Sequence, residues 1–330
     1  MKGKEVAPGL LQYPEKKGVG WVRRFSTLIG LVLICLVLTF TSKHFFSFEN
    51  FINVLLQNAN IAILAVGLTL VILLGEIDLS VGGVEALGCV VAAWMMVYGG
   101  LGVFPSILLA LLAGTLCGLV SGFFVAYFRF HSFVSTLAMM GIARGLALIY
   151  THGASIYGLP DSFRFMGQGA IGFIPVPVLI AAVVLLLAHL LLTQVRLGNH
   201  IYAVGGNLEA ARLAGINVGK VKLIVLSLSG LCSGLAGVIM ASRLNSGQGT
   251  IGETDLLDAI ASVIIGGTSL MGGVGTIPGT ILGVLIISVI RNGLNLLGVS
   301  SFWQMVAIGV IIICAVLIEE IRRKLQDKER

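Results

Sequence analysis

The chain has 330 residues, of which 57% are hydrophobic and only 11% charged, with a mean hydropathy of +1.03. Globular domains carry about 25% charged residues, so a water-soluble core is excluded and lipid is the expected solvent for most of the chain. The net charge of +6 does not indicate nucleic acid, because Lys and Arg cluster at the ends of apolar runs as the positive-inside rule expects.

In chain order, residues 1–24 form a basic segment containing Lys2, Lys4, Lys16, Lys17, Arg23 and Arg24. Continuous apolar runs then predict spans near 25–41, 52–74, 79–98, 104–126, 133–150, 173–194, 221–242, 256–267, 277–296 and 303–319. The runs lack the short alternation of a β-barrel. No small-residue cleavage site follows the first run, so it reads as a retained span.

The second and third spans are joined by "LLGEIDLSVGGVE" (73–85), which places Glu76, Asp78 and Glu85 among glycines. An ionised residue at this depth usually faces protein or water. Asp78 is expected to accept N–H bonds from Ser80 and Val81 and so open the third span. A solvated loop acid and a direct ligand of a transported solute are the competing readings. Arg144, within the fifth span, is expected to neutralise one of the buried acids.

A polar insert, "QVRLGNHIYAVGGNLEAARLAGINVGKVK" (194–222), separates the sixth and seventh spans. Asn207 suits an N-cap, Leu208–Ala214 favours helix, and Gly215 is a natural stop. Glu209 and Arg212 lie at the ends that the helix dipole prefers. Such a helix of about two turns is unstable alone, so a partner should hold it; Ala210, Ala211 and Ala214 would allow close approach. An ordinary connector helix is the plainer reading. The eighth span is too short to cross, since about 20 residues are needed. It runs into "GGTSLMGGVGTIPG" (266–279) and reads as a half-length helix. Residues 321–330 form a charged tail.

Ten spans with an internal N-terminus put sixteen of the 21 Lys and Arg on the inner side. Lys43, Arg164 and Arg243 fall outside, and Arg144 and Arg291 fall within spans. Both termini are therefore assigned to the cytoplasm. "VILLGEIDLSVGGV" (71–84) resembles "VIIGGTSLMGGV" (263–274), an offset of 190–192 residues. Five spans repeated twice would invert the second copy, a known transporter plan; chance similarity of glycine-rich apolar stretches accounts for the match equally well.

Several chemistries are missing. No G-x-x-x-x-G-K-[ST], H-E-x-x-H or G-x-S-x-G occurs, so phosphate-loop, zinc-protease and serine-hydrolase readings lack their residues. Cys35, Cys89, Cys117, Cys232 and Cys314 lie inside apolar runs and read as small buried hydrophobes. No metal or catalytic site is expected.

The stretches "VGGNLEAARLAGINVGKVK", "GEIDLSVGG", "FVSTLAMMGIARGLALIYTHG" (133–153) and "LDAIASVIIGGTSLMGGVGTIPGTILGVLIISVIRNGLNLLGVSSFWQ" (257–304) resemble the permease subunits of ribose-type ATP-binding-cassette importers. These belong to the branched-chain amino acid and ribose permease superfamily. The resemblance spans about residues 50–320 and implies an all-α, type II importer-like architecture in a bacterial inner membrane. It implies a second permease copy, ATPase subunits that bind ATP and Mg, and a periplasmic or lipoprotein sugar-binding protein. It makes Leu208–Ala214 a coupling helix, with Asn207, Glu209, Ala210, Ala211, Arg212 and Gly215 facing the ATPase. Glu76, Glu85 and Asp255 depart from the family's usual residues and put the identity of the sugar in doubt.

Candidates for the translocation path or its gates are Asn60, Glu76, Asp78, Ser80, Arg144, Asp258, Asn292 and Asn295. The aromatics Tyr98, Tyr150, Tyr157, Phe302 and Trp303 fall near the proposed outer interfaces and read as interfacial belts. The competing function is an ion-coupled secondary transporter, which would use the same inverted repeat and intramembrane acids without an ATPase. A channel is the third reading.

Overall fold

The computed structural model describes residues 17–328. Within them lie thirteen helices: α1 Lys17–Thr41, α2 Phe48–Leu73, α3 Val81–Val97, α4 Val103–Tyr127, α5 Ser132–Thr151, α6 Asp161–Gln168, α7 Val176–Gln194, α8 Arg196–Gly206, α9 Leu208–Leu213, α10 Val218–Leu244, α11 Glu253–Ile265, α12 Ile277–Leu296 and α13 Ser301–Lys328. The two-residue strands β1 (Ala170–Ile171) and β2 (Ile174–Pro175) make a small antiparallel hairpin. By length and composition, α2, α4, α5, α7, α10 and α12 can each cross a membrane. The chain is an all-α polytopic membrane protein.

The centre is built on α2 and α10. From Asn58 to Leu73, α2 is buried throughout, as expected for a helix apolar on every side. It packs on α7, α10, α11 and α12, while α10 packs on α2, α3, α4 and α6. The α4–α10 seam is made by Gly114 and Gly118 against Gly230 and Gly234. A Cβ at Gly118 would strike the backbone of Leu226. Close backbone approach through small residues is how helices associate where lipid offers no hydrophobic drive. The outer flanks of α4, α5 and α7 instead expose Leu, Phe and Val, as a lipid-facing surface would.

Three elements differ from the sequence reading. The amphipathic α8 occupies the first half of the polar insert, and α6 with the hairpin fills the connection between α5 and α7. Both are too short to register as apolar runs, and tertiary contacts stabilise them: Phe163 of α6 and Ile201 of α8 are fully buried. Helix α13 continues past the expected tail boundary at 321, because Glu, Arg, Lys and Gln there are all good helix formers. Of the expected N-terminal segment 1–24, residues 1–16 lie outside the described residues, and α1 already begins at Lys17.

Candidate functional site

Residues 74–80 leave the end of α2 in a turn at Leu74–Gly75 and are non-helical up to the start of α3. Their backbone groups are satisfied by side chains. Ile77 N donates to Ser132 Oγ at 3.0 Å, and Leu79 N donates to Thr136 Oγ1 at 3.1 Å, both from α5. Non-helical backbone at membrane depth is tolerated only where protein satisfies it in this way. Asp78 is 1% exposed, so the solvated-acid reading fails. Its Oδ1 accepts from Ser80 N (2.9 Å) and Ser80 Oγ (2.6 Å), and its Oδ2 accepts from Ser229 Oγ of α10 (2.7 Å). The expected Ser80 bond is present. The second partner is Ser229 rather than Val81, because the acid bridges to another helix instead of capping its own. Glu76 pairs with Lys222 near the start of α10. Ser229 also lies against Gly67 of α2, so by Asp78 the chain has come back to the level of a residue well before the end of α2. The segment is a re-entrant stretch, and α3 starts part-way through the bundle.

Residues 245–252 do the corresponding thing after α10. They bridge to Ile156, with Ile156 N donating to Gly247 O at 2.8 Å. Arg144 holds them: its Nη1 donates to Gly249 O at 2.7 Å and to Ile251 O, and its Nη2 reaches Gly82 O at 3.5 Å. Arg144 therefore grips three carbonyls and makes no close carboxylate ion pair among the described residues; its charge still acts on the buried Glu85, so the expected neutralisation of an acid works at a distance and not by contact. The reason is that the re-entrant backbone leaves carbonyls without helical partners, and a guanidinium offers several donors in one plane.

The two re-entrant stretches meet where α3 and α11 begin. Gly82 and Gly252 face each other so closely that a Cβ on either would collide with the other's carbonyl. One turn on, Glu85 and Asp255 converge on Asn60 at the middle of α2. Asn60 Nδ2 donates to Asp255 Oδ2 at 2.8 Å and lies 3.5 Å from Glu85 Oε1. Glu85 is fully buried.

The remaining polar candidates lie in separate helix–helix contacts. Asp258 of α11 pairs with Arg291 of α12, with Nη2 to Oδ1 at 2.9 Å. Asn292 exchanges two hydrogen bonds with Asn50 of α2, at 2.8 and 2.9 Å. Asn295 Oδ1 accepts from Gln304 of α13 at 2.7 Å. Of these groups only Asp258 and Gln304 are buried, and a partner on a neighbouring helix answers each of them.

On the face that carries α8 and α9, Asn207 Oδ1 accepts from Ala210 N at 2.9 Å, the anticipated cap. Glu209 and Arg212 pair at 2.9 Å, and Gly215 turns the chain at φ +81°. Ala211 is 3% exposed and joins the core with Val204, Val218 and Val221, so it does not face outward as expected. Leu213 does, at 89% exposure. The signal was in the spacing: Leu208 and Ala211 share a stripe at i, i+3, and Leu213 falls off it. Tyr202 of α8 donates to Gly275 O at 2.8 Å. Half-burial raises its phenol above the ordinary value, so this donor keeps its proton at physiological pH.

The family described as "Branched-chain amino acid transport system / permease component" matches residues 50–316. The chain belongs to this permease family. It is 44% identical to the ribose import permease protein of Haemophilus influenzae over 249 residues, covering 74% of this chain and 77% of that protein. It is 45% identical to that of Escherichia coli K12 over 254 residues (76% and 79%) and 42% identical to that of Bacillus subtilis over 255 residues (76% and 78%). No solved structure matches. Both re-entrant segments and the α8–α9 face fall inside the part of the permease that the family match covers.

Proposed function

We propose that the chain is the membrane-spanning permease subunit of an ATP-binding-cassette importer that moves a monosaccharide, ribose, into the cytoplasm by alternating access. The observation that carries this is 42–45% identity to ribose import permeases over three quarters of both chains. The permease is a transport subunit and not itself a catalyst. ATP and Mg bind a separate ATPase chain, and an outer sugar-binding protein delivers the substrate. A second permease copy completes the pathway, and lipid surrounds the pair.

The α8–α9 face is the ATPase-docking side. Leu213 supplies an apolar knob, with Glu209, Ala210, Arg212 and Gly215 around it. Seating Leu213 in a groove of a partner would take its apolar surface out of water. On this reading the α9 face, the N-terminus and the C-terminus lie on the cytoplasmic side of a bacterial inner membrane, which the Lys and Arg asymmetry supports.

The architecture is read as ten membrane segments in two inverted sets of five, of the type II importer plan. The packing supports a repeat of α2–α5 over α10–α13. Their first residues (48, 81, 103, 132 and 218, 253, 277, 301) differ by 169–174 residues. The contact of α2 with α12 mirrors that of α10 with α4, and α2 with α11 mirrors α10 with α3. Gly82 and Gly252 are equivalent at an offset of 170, as are Glu85 and Asp255. The two similar stretches seen in the sequence, 71–84 and 263–274, do not share this register. They touch each other instead, with Gly273 N donating to Leu73 O at 2.8 Å. Polar candidates at the broken helices (Asn60, Glu76, Asp78, Ser80, Arg144) belong to the gating machinery; Asp258, Asn292 and Asn295 hold the helices around it.

The test is reconstitution of the permease with its ATPase and binding protein in liposomes. Ribose should stimulate ATP hydrolysis and accumulate inside. Ribose uptake by the permease alone under a proton gradient would instead establish the secondary-transporter reading.

A further inference from the structure

The last turn of α8 makes contact backbone to backbone with two other segments. A Cβ at Gly205 would collide with Leu73 O at the end of α2 and with Gly273 N. A Cβ at Gly272 would stand 2.7 Å from Gly75 N and 2.9 Å from Gly205 O. Gly273 N donates to Leu73 O at 2.8 Å, and Tyr202 ties α8 to Gly275. At these glycines three segments meet backbone to backbone: α8, the start of the 74–80 stretch, and the 266–276 loop.

The position of this junction matters. Asn207 is both the end of α8 and the cap of α9, so a single residue separates the exposed α9 face from the junction. On the other side, Gly75 opens the re-entrant stretch that carries Glu76 and Asp78, bonded to Lys222 and Ser229 of α10. The 266–276 loop connects α11 to α12, where Thr276 caps α12. A side-chain interface can absorb a small displacement by changing rotamers. Backbone in contact with backbone cannot, and packed joints of this kind move as one body.

We propose that Gly75, Gly205, Gly272 and Gly273 form the transmission joint of the permease, through which displacement of α9 moves both the 74–80 stretch and the 266–276 loop. This rests on the reading that the α9 face docks the ATPase. Gly205→Ala inserts a wedge into the joint and leaves the docking face untouched.

The experiment uses the full complex in liposomes, with a Cys314→Ser background and an environment-sensitive fluorophore on Met271→Cys, an exposed position of the loop. In the otherwise unchanged complex, ATP should shift the fluorescence. In Gly205→Ala, the complex should assemble and hydrolyse ATP, while the shift disappears and ribose uptake per ATP falls about tenfold, the scale of coupling changes along a connecting network. Gly206→Ala is the control. A Cβ there meets nothing within 4 Å, so the shift and uptake should persist. Normal coupling in Gly205→Ala, or equal loss in Gly206→Ala, overturns the proposal. If Gly205→Ala does not assemble, Tyr202→Phe decides: it removes only the hydroxyl held by Gly275, and an unchanged shift and uptake overturn the proposal. Docking is tested apart, by copurification of Leu213→Glu with the ATPase. Retained copurification there sinks the docking reading, whereas loss of coupling with intact copurification in Gly205→Ala is specific to the joint.

Discussion

Asp78 offers a sharp test of why an acid stands in the re-entrant stretch. It accepts three hydrogen bonds, from Ser80 N, Ser80 Oγ and Ser229 Oγ, and is 1% exposed. Asp78→Ala removes all three at about 1 kcal/mol each and strands one buried N–H, which adds about 1–3 kcal/mol. The two serine hydroxyls can turn to other acceptors, so about 3–5 kcal/mol is the expected loss. Asp78→Asn is different. Its amide oxygen can keep both Ser80 bonds, and its amide nitrogen can donate to Ser229 Oγ, whose hydroxyl also accepts. That change should cost about 1 kcal/mol or less. The assay is unfolding in mixed micelles by stepwise addition of a denaturing detergent, read by tryptophan fluorescence, with ribose uptake measured in parallel. Near-normal stability and uptake in Asp78→Asn, beside a large loss in Asp78→Ala, is the expected pattern. Equal damage in both variants would show that the negative charge itself is required, and the hydrogen-bonding account would be wrong.

The same unfolding assay reads changes at Arg291 and Gly118, and thiol labelling reads one at Arg144. Arg291→Met should cost about 3–5 kcal/mol by leaving Asp258 buried without its cation, while Asp258→Leu combined with Arg291→Met should recover most of that loss. A double variant no better than the single would refute the ion-pair account. Gly118→Val should cost at least about 1–3 kcal/mol, because the added atoms meet the Leu226 backbone across the α4–α10 seam; wild-type stability would mean that this seam can part freely. Arg144→Met should loosen the 245–252 stretch, so that a cysteine placed at Thr250 reacts with a water-soluble maleimide several-fold faster; unchanged labelling would remove Arg144 from that role.

Much of this protein was legible in its residues. Ten apolar runs, a half-length eighth span, and a capped short helix after Asn207 all follow from hydropathy, spacing and cap chemistry, because each depends on neighbours within a few residues. The exposed position of Leu213 was also readable from its place off the Leu208–Ala211 stripe. Other features depend on what lies across the bundle. Ser229 is 151 residues from Asp78, and nothing in either stretch names the other as its partner. Arg144 was legible as a buried cation needing partners, but its use of carbonyls depended on how 245–252 folds back. The Gly-Gly-Val similarity shows the same limit. Glycine marks close approach without saying to what, so 71–84 and 263–274 looked like copies of one another when they are in contact. By itself the sequence determined the all-α membrane class, the main apolar helices and the Asn207 cap, which short-range periodicity and cap chemistry encode. Only the tertiary structure decided which buried polar groups pair and which glycines meet, because those choices are made by backbone packing between helices far apart in the chain.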